Sequence, residues 1–190
     1  MLKGIGEGTE NINIDMLIEK VTNIAAEKAI STYENRRKEE LKYSYDRKLR
    51  NTKLLLKHYK DFKRHVNNSI FKVSNVSENA IEILEELINT KITENLFVES
   101  ISNSVSRTNI IISHINTMIN IYEAYSKQHG ELEERKYRII YKRFIDEKQW
   151  SIKEIATSEN IDNRTVYRDI NLACGKISVF LFGIDGVNKF

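Results

Sequence analysis

The chain reads as all-α: long helices, bundled or coiled, through the N-terminal two-thirds, then a run of short capped helices at the C-terminus. Three observations lead there. The 190 residues contain no proline and only seven glycines, so few positions interrupt a helix. Apolar residues recur at three- and four-residue steps over most of the length, the spacing of one helical face. No stretch of useful length alternates apolar and polar residues as a half-buried strand would.

Composition narrows the function classes. Charged residues make up 30% of the chain and the AVILMFWYC set 41%, a balance that reads as soluble and folded. The longest apolar runs, Ile110 to Ile112 and Ile177 to Phe182, fall far short of a membrane span, so no membrane partner is expected. The N-terminal half has no signal-peptide pattern. A single cysteine, Cys174, excludes an internal disulfide framework and fits a cytoplasmic location. The net charge of +3 is mild, so only the distribution of charge argues for a polyanionic partner.

The elements come in order along the chain. Residues 1–12 are polar and Gly-rich and read as a flexible tail. A helical N-terminal domain covers 13–129. It opens with Ile14, Leu17, Ile18, Val21, Ile24 and Ala25 on one face. From Glu34 to Arg64 the charge density rises to twelve Lys or Arg against five Asp or Glu. An apolar thread continues there through Leu41, Tyr45, Leu49, Leu55, Tyr59, Phe62, Val66 and Ile70, as one long amphipathic helix or two stacked ones. A first break falls near 67–76, and Ser77 is placed to cap a new helix. That helix is acidic, with six Glu and one Lys from Ser77 to Glu99. Ala80, Ile81, Leu84, Leu87, Ile88, Ile92 and Leu96 line one of its faces. A second break falls near 100–106. Val105, Thr108, Ile112, Ile115, Ile119 and Tyr122 then stay in register up to a stop at Gly130.

From 131 to 190 the pattern changes to short helices with signals at both ends. Glu131, Glu133 and Glu134 suit a helix N-terminus, and Tyr137, Ile140, Tyr141 and Phe144 form its apolar face. Asp146 to Gln149 is a polar turn. Ser151 and Glu154 form a capping box for a short helix with Ile152, Ile155 and Ala156 inward. Asn160 is the residue that tolerates a left-handed turn, and Ile161 plugs that turn. Asp162 caps a helix with Val166, Ile170, Ala173 and Ile177 inward. Small Ala156, the turn four residues later, the plug five later and Val166 ten later have helix-turn-helix spacing. The outward face of the second helix carries Asn163, Arg164, Thr165, Tyr167, Arg168 and Asn171, side chains suited to base edges and phosphates.

These residues carry a resemblance. Glu134 to Ile177 resembles region 4 of the sigma-70 family, through Arg135 to Ile145, Ser151-Ile-Lys-Glu-Ile-Ala156 and Arg164-Thr-Val-Tyr-Arg-Asp-Ile170. The wider chain is similar to the ArpU/RinA-type phage transcription regulators, through Tyr45-Asp-Arg-Lys-Leu-Arg-Asn-Thr-Lys-Leu-Leu-Leu56 and Val179-Phe-Leu-Phe-Gly-Ile-Asp-Gly186. Glu159 stands where that pattern has an apolar residue, and Asn160 where it has glycine. The resemblance implies a sequence-specific activator of late phage genes that binds double-stranded promoter DNA and RNA polymerase. Homodimer formation through the N-terminal helices or the apolar tail is a further expectation.

Other readings compete. An alternative sigma factor would have about this length, but no acidic, aromatic-rich region resembles the part that melts a promoter, and the only tryptophan is Trp150. A helical interaction module with a vestigial helix-turn-helix would use the basic 34–64 and acidic 77–99 stretches for protein partners. The basic stretch also reads as added phosphate contact or as docking to an acidic surface, the chain's own 77–99 stretch or polymerase, and both stretches also read simply as solvated faces. No nucleophile with a positioned base is visible, so no enzyme is expected. Neither is a metal or cofactor: His58, His65, His114 and His129 lack ligand spacing. Gly4, Gly6 and Gly8 lack the preceding strand and following Lys of a phosphate loop. Cys174 reads as a small core residue. Val179 to Phe182, with Ile184 and Phe190, reads as an apolar tail folded onto its own domain or docked on a partner.

Overall fold

A computed structural model describes residues 14–68, 79–89, 93–102 and 104–183. Every regular element among them is helical: α1 Ile14–Lys57, α2 Tyr59–Asn67, α3 Ala80–Asn89, α4 Glu94–Ser102, α5 Val105–Gln128, α6 Glu131–Ile140, α7 Ile152–Glu159 and α8 Asn163–Phe182. A π-helical turn, Tyr141–Ile145, continues α6. No helix among the described residues is long and apolar enough to cross a membrane.

The chain divides into two compact units, Met1–Lys42 and Tyr43–Phe190. In the first, the described residues are all α1, and Ile14, Leu17, Ile18, Val21 and Ile24 are all exposed. The apolar stripe read from the sequence is therefore present as a face but is not buried.

The second unit holds the core. Leu55 and Leu56 of α1, Phe62 of α2, Leu84 of α3, Ile101 of α4, Ile115 and Tyr122 of α5, Ile140 of α6 and Ile177 and Leu181 of α8 belong to one buried cluster. The cluster is continuous across Gly130, where the sequence reading places a domain boundary. α5 runs through its middle, packing against α2, α6 and α8. His114 Nε2 of α5 donates to the Leu181 carbonyl of α8 at 3.1 Å. The α1–α8 approach is close at Gly175, where an added Cβ would lie 3.2 Å from Tyr45 Oη.

Local chemistry sets most boundaries. α1 and α2 part at His58, which leaves the helical path with ψ of 7°, although no glycine or proline marks the place. Ser104 caps α5 by accepting from the Arg107 amide. Gly130, with φ of 83°, ends the α5 segment and begins α6, a backbone angle that side chains disfavour. Ser77 and Ile70 lie outside the described residues.

Several expectations need correction. The acidic stretch read as one helix is two, α3 and α4. Ile81 and Leu96 are 41% and 50% exposed, whereas Ile83 and Phe97 are buried. Ala80 and Leu84 of the expected face are buried, so the face is turned by one residue at its edge, toward Ile83 and Phe97, where α3 packs on α5 and α8 and α4 on α5. Tyr141, expected inward, is exposed, because the buried side of α6 is centred on Ile139 and Ile140 and Tyr141 falls at its edge; a π-helical turn closed by Asp146 N–H to Tyr141 O at 2.9 Å begins there. Val179 to Phe182 is no separate tail but the last turn of α8, with Leu181 and Phe182 buried. Ile184 and Phe190 lie outside the described residues.

Candidate nucleic-acid interface

The segment from α6 to the first half of α8 is built on a small second core: Ile139, Ile155, Ala156 and Val166, with Trp150, Ile152, Ile161 and Ile170 against it. Ala156 is where α7 and α8 come together, and its small side chain admits the close approach.

The lead-in to α7 is held by short-range bonds. Asp146 accepts from the Lys148 amide at 3.0 Å and from the Trp150 indole at 2.9 Å. Those bonds keep its carboxyl below the usual carboxylate range. Arg143 donates to the Trp150 carbonyl at 2.8 Å. At the start of α7 the capping box forms in both directions. Ser151 N–H donates to Glu154 at 2.8 Å, and Glu154 N–H donates to Ser151 Oγ at 3.2 Å. The bonds from Ser151, backed by Lys148, pull the Glu154 carboxyl from its ordinary 4.5 down to about 2.

The turn is Asn160–Asp162. Asn160 adopts the left-handed conformation, φ 53° and ψ 48°, and its amide and that of Ile161 close onto carbonyls of α7. Asp162 caps α8, accepting from Thr165 N–H at 2.8 Å and Thr165 Oγ1 at 2.7 Å. These bonds lower its carboxyl pKa and keep it charged at the tip of α8.

Asn163, Arg164, Tyr167, Arg168 and Asn171 all emerge exposed, and at three- and four-residue steps they share one face of α8. Thr165 is half-buried and spends its hydroxyl proton on Asp162, so it serves the cap first. The opposite side carries Val166, Asp169, Ala173 and Ile177, all buried. Tyr167 is 58% exposed, as is the neighbouring apolar Leu172 at 53%.

Four features escaped the sequence. Lys153 and Thr157 of α7 line an open cleft of about 830 Å³ with Asn160 and Asn163. They sit four residues apart on the polar face of α7, and that spacing is the signal that marks them. Leu172 extends the exposed face of α8. Glu159, where an apolar residue was expected, is buried as a charge: its carboxylate takes Arg138 at 2.9 Å and Lys142 at 2.6 Å. Burial alone would raise its pKa, but those two hydrogen bonds hold it lowered. Asp169, 1% exposed, takes Arg135 of α6 at 2.8 Å. These two bridges fasten α7 and α8 to α6.

Cys174 lies in the core, and burial pushes its thiol up to about 12. It therefore stays protonated and packs as a small apolar group. Among the described residues no group of His, Cys, Asp or Glu is arranged to hold a metal ion.

No family model matches this chain, nor does any curated protein or solved structure.

Proposed function

We propose that the chain is a sequence-specific DNA-binding transcription regulator, with α7 and α8 as its helix-turn-helix and α8 as the helix that enters the major groove. One observation carries this reading. Asn163, Arg164, Tyr167, Arg168 and Asn171 form a single exposed face on the first half of α8, directly after a left-handed turn, while the reverse side of the same helix is buried. Arginine pairs with guanine and asparagine with adenine through two hydrogen bonds each, and such contacts project from the N-terminal turns of a docked helix. Lys153 and Thr157 stand beside that face, where backbone phosphates of the same duplex would pass. In keeping with the resemblance to sigma-70 region 4, the duplex would be promoter DNA and RNA polymerase the protein partner, in the manner of a late-gene activator of a phage.

The test is selection of duplexes from a random pool by the full chain, beside an Arg164→Ala, Arg168→Ala variant. A motif enriched by the wild type and lost in the variant is expected. A single bidentate contact contributes about 1–3 kcal/mol of discrimination, so Arg164→Ala alone lowers specific affinity by one or two decades. A wild type that enriches no motif overturns the reading. Adding core polymerase alone to the selected promoter separates an activator from a sigma factor, since only the latter starts transcription unaided.

A further inference from the structure

A positive surface not used by the α7–α8 pair lies beside the start of α7, on other elements. Lys57 at the end of α1, Lys60 of α2, Arg143 of the π-helical turn and Gln149 of the lead-in to α7 enclose a cleft of about 190 Å³ floored by Phe144. Three of the five residues are cations and none is acidic. A neighbouring cleft of about 290 Å³ shares Lys60 and Gln149 and adds Lys63 and Arg64. Its one acidic side chain, Glu147, is engaged by Lys63 at 2.9 Å.

Hydrogen bonds join this shoulder to the candidate interface. Lys60 Nζ reaches the Lys148 carbonyl at 3.4 Å, and Arg143 reaches the Trp150 carbonyl at 2.8 Å. Ser151 then caps α7, whose Lys153 shares a cleft with Asn160 of the turn and Asn163 of α8. Two hydrogen bonds thus tie the cationic shoulder to the lead-in of α7, the helix beside the surface proposed to face DNA. Between them Glu154 is paired with Lys148 and Glu147 with Lys63, so a polyanion passing the start of α7 would find its cations at Lys57, Lys60 and Arg143.

We infer that Lys57, Lys60 and Arg143, with Gln149, form a second clamp on the phosphate backbone of the same duplex, extending the footprint past the base pairs that α8 reads. The inference rests on the proposed DNA-binding function and adds a partner surface to it. The clamp recognises phosphate by charge and amide donors, so it strengthens binding to every sequence and selects none.

The test measures affinity of the full chain for its selected duplex, trimmed to the motif or extended on both sides, across a range of salt. It compares wild type with Lys57→Gln/Lys60→Gln, one exposed and one half-buried position, where the change preserves length and polarity and glutamine can still donate to the Lys148 carbonyl. Lys28→Gln/Lys38→Gln on the exposed part of α1 serves as the charge-matched control. Each phosphate that the protein no longer neutralises reduces the slope of log affinity against log salt by about 0.9. The shoulder variant should therefore flatten that slope by about 1 to 2. It should bind the extended duplex about tenfold more weakly, keep the same motif, and gain nothing from the flanks. The control should match wild type.

An unchanged slope in the shoulder variant overturns the clamp and leaves the α8 reading intact, provided Arg164→Ala/Arg168→Ala still abolishes the motif. Equal flattening in the control overturns it too, because net charge alone then accounts for the effect. A wild type that binds no duplex at all removes the clamp and the α8 reading together.

Discussion

The Arg135 guanidinium grips one carboxylate oxygen of Asp169 with Nε at 3.0 Å and Nη2 at 2.8 Å, and so ties α6 to the buried side of α8. Asp169 is 1% exposed, so this bridge stands in for the water its carboxylate has lost. Arg168 Nε stands 3.7 Å from the other oxygen but is largely in solvent, where its attraction is screened.

Removing Arg135 should therefore be costly. Arg135→Ala leaves a buried carboxylate without its ion pair, a loss of about 3–5 kcal/mol. Replacing both members, Arg135→Met with Asp169→Leu, should recover most of it, because neither charge then has to be desolvated. Urea unfolding of the three variants checks this. A single-variant loss under about 1 kcal/mol would show that Asp169 is wetter than its burial implies.

The turn residue makes a sharper distinction. Asn160 holds φ at 53°, where an ordinary side chain crowds the following carbonyl at about 1–2 kcal/mol. Asn160→Gly should leave the melting temperature level or raise it. Asn160→Ala should lower it by about 2–4 °C for each kcal/mol of stability removed, and the β-branched Asn160→Val should lower it further. If all three melt together, the left-handed turn is not held in solution.

Acid should act through the capping box. Glu154 titrates near 2 in the folded chain against an ordinary 4.5. A carboxyl whose pKa falls on folding stabilises the fold fully above its unfolded value and loses that contribution as pH drops through the folded one. The window is thus pH 4.5 down to 2. Glutamine keeps the capping geometry without the proton equilibrium, so Glu154→Gln should lose less stability than wild type across that window. Urea midpoints at stepped pH decide it, and parallel losses would rule out Glu154 as a contributor.

The chemistry legible from the sequence is the kind that acts over a few residues. The Ser151–Glu154 box, the left-handed Asn160, the Asp162 cap and the outward α8 side chains all depend on neighbours within one or two turns. The bridges that hold the region together do not. Arg138 and Lys142 meet Glu159 from 21 and 17 residues away, and Arg135 meets Asp169 from 34. Nothing local announces them, so Glu159 looks like a departure in the sequence when it is a buried ionic junction in the fold. The acidic stretch misleads only at the edge of its face: Ala80 and Leu84 are buried as expected, but Ile81 and Ile83, or Leu96 and Phe97, serve equally well in an isolated helix, and only the facing helices choose between them. The break at His58 has no breaker residue to betray it.

α8 runs unbroken from Asn163 to Phe182, and its last turns lie in the same buried cluster as Leu55, Phe62 and Ile115. The exposed tip is therefore not a portable cassette. A fragment starting at Gly130 would strip α5 from α8, lay Ile177 and Leu181 bare, and clump rather than fold. Transplanting the tip means transplanting the body from Tyr43 onward. For the same reason, whatever grips the tip is gripping the end of an anchored rod, and its occupancy will be felt as heat resistance throughout that body.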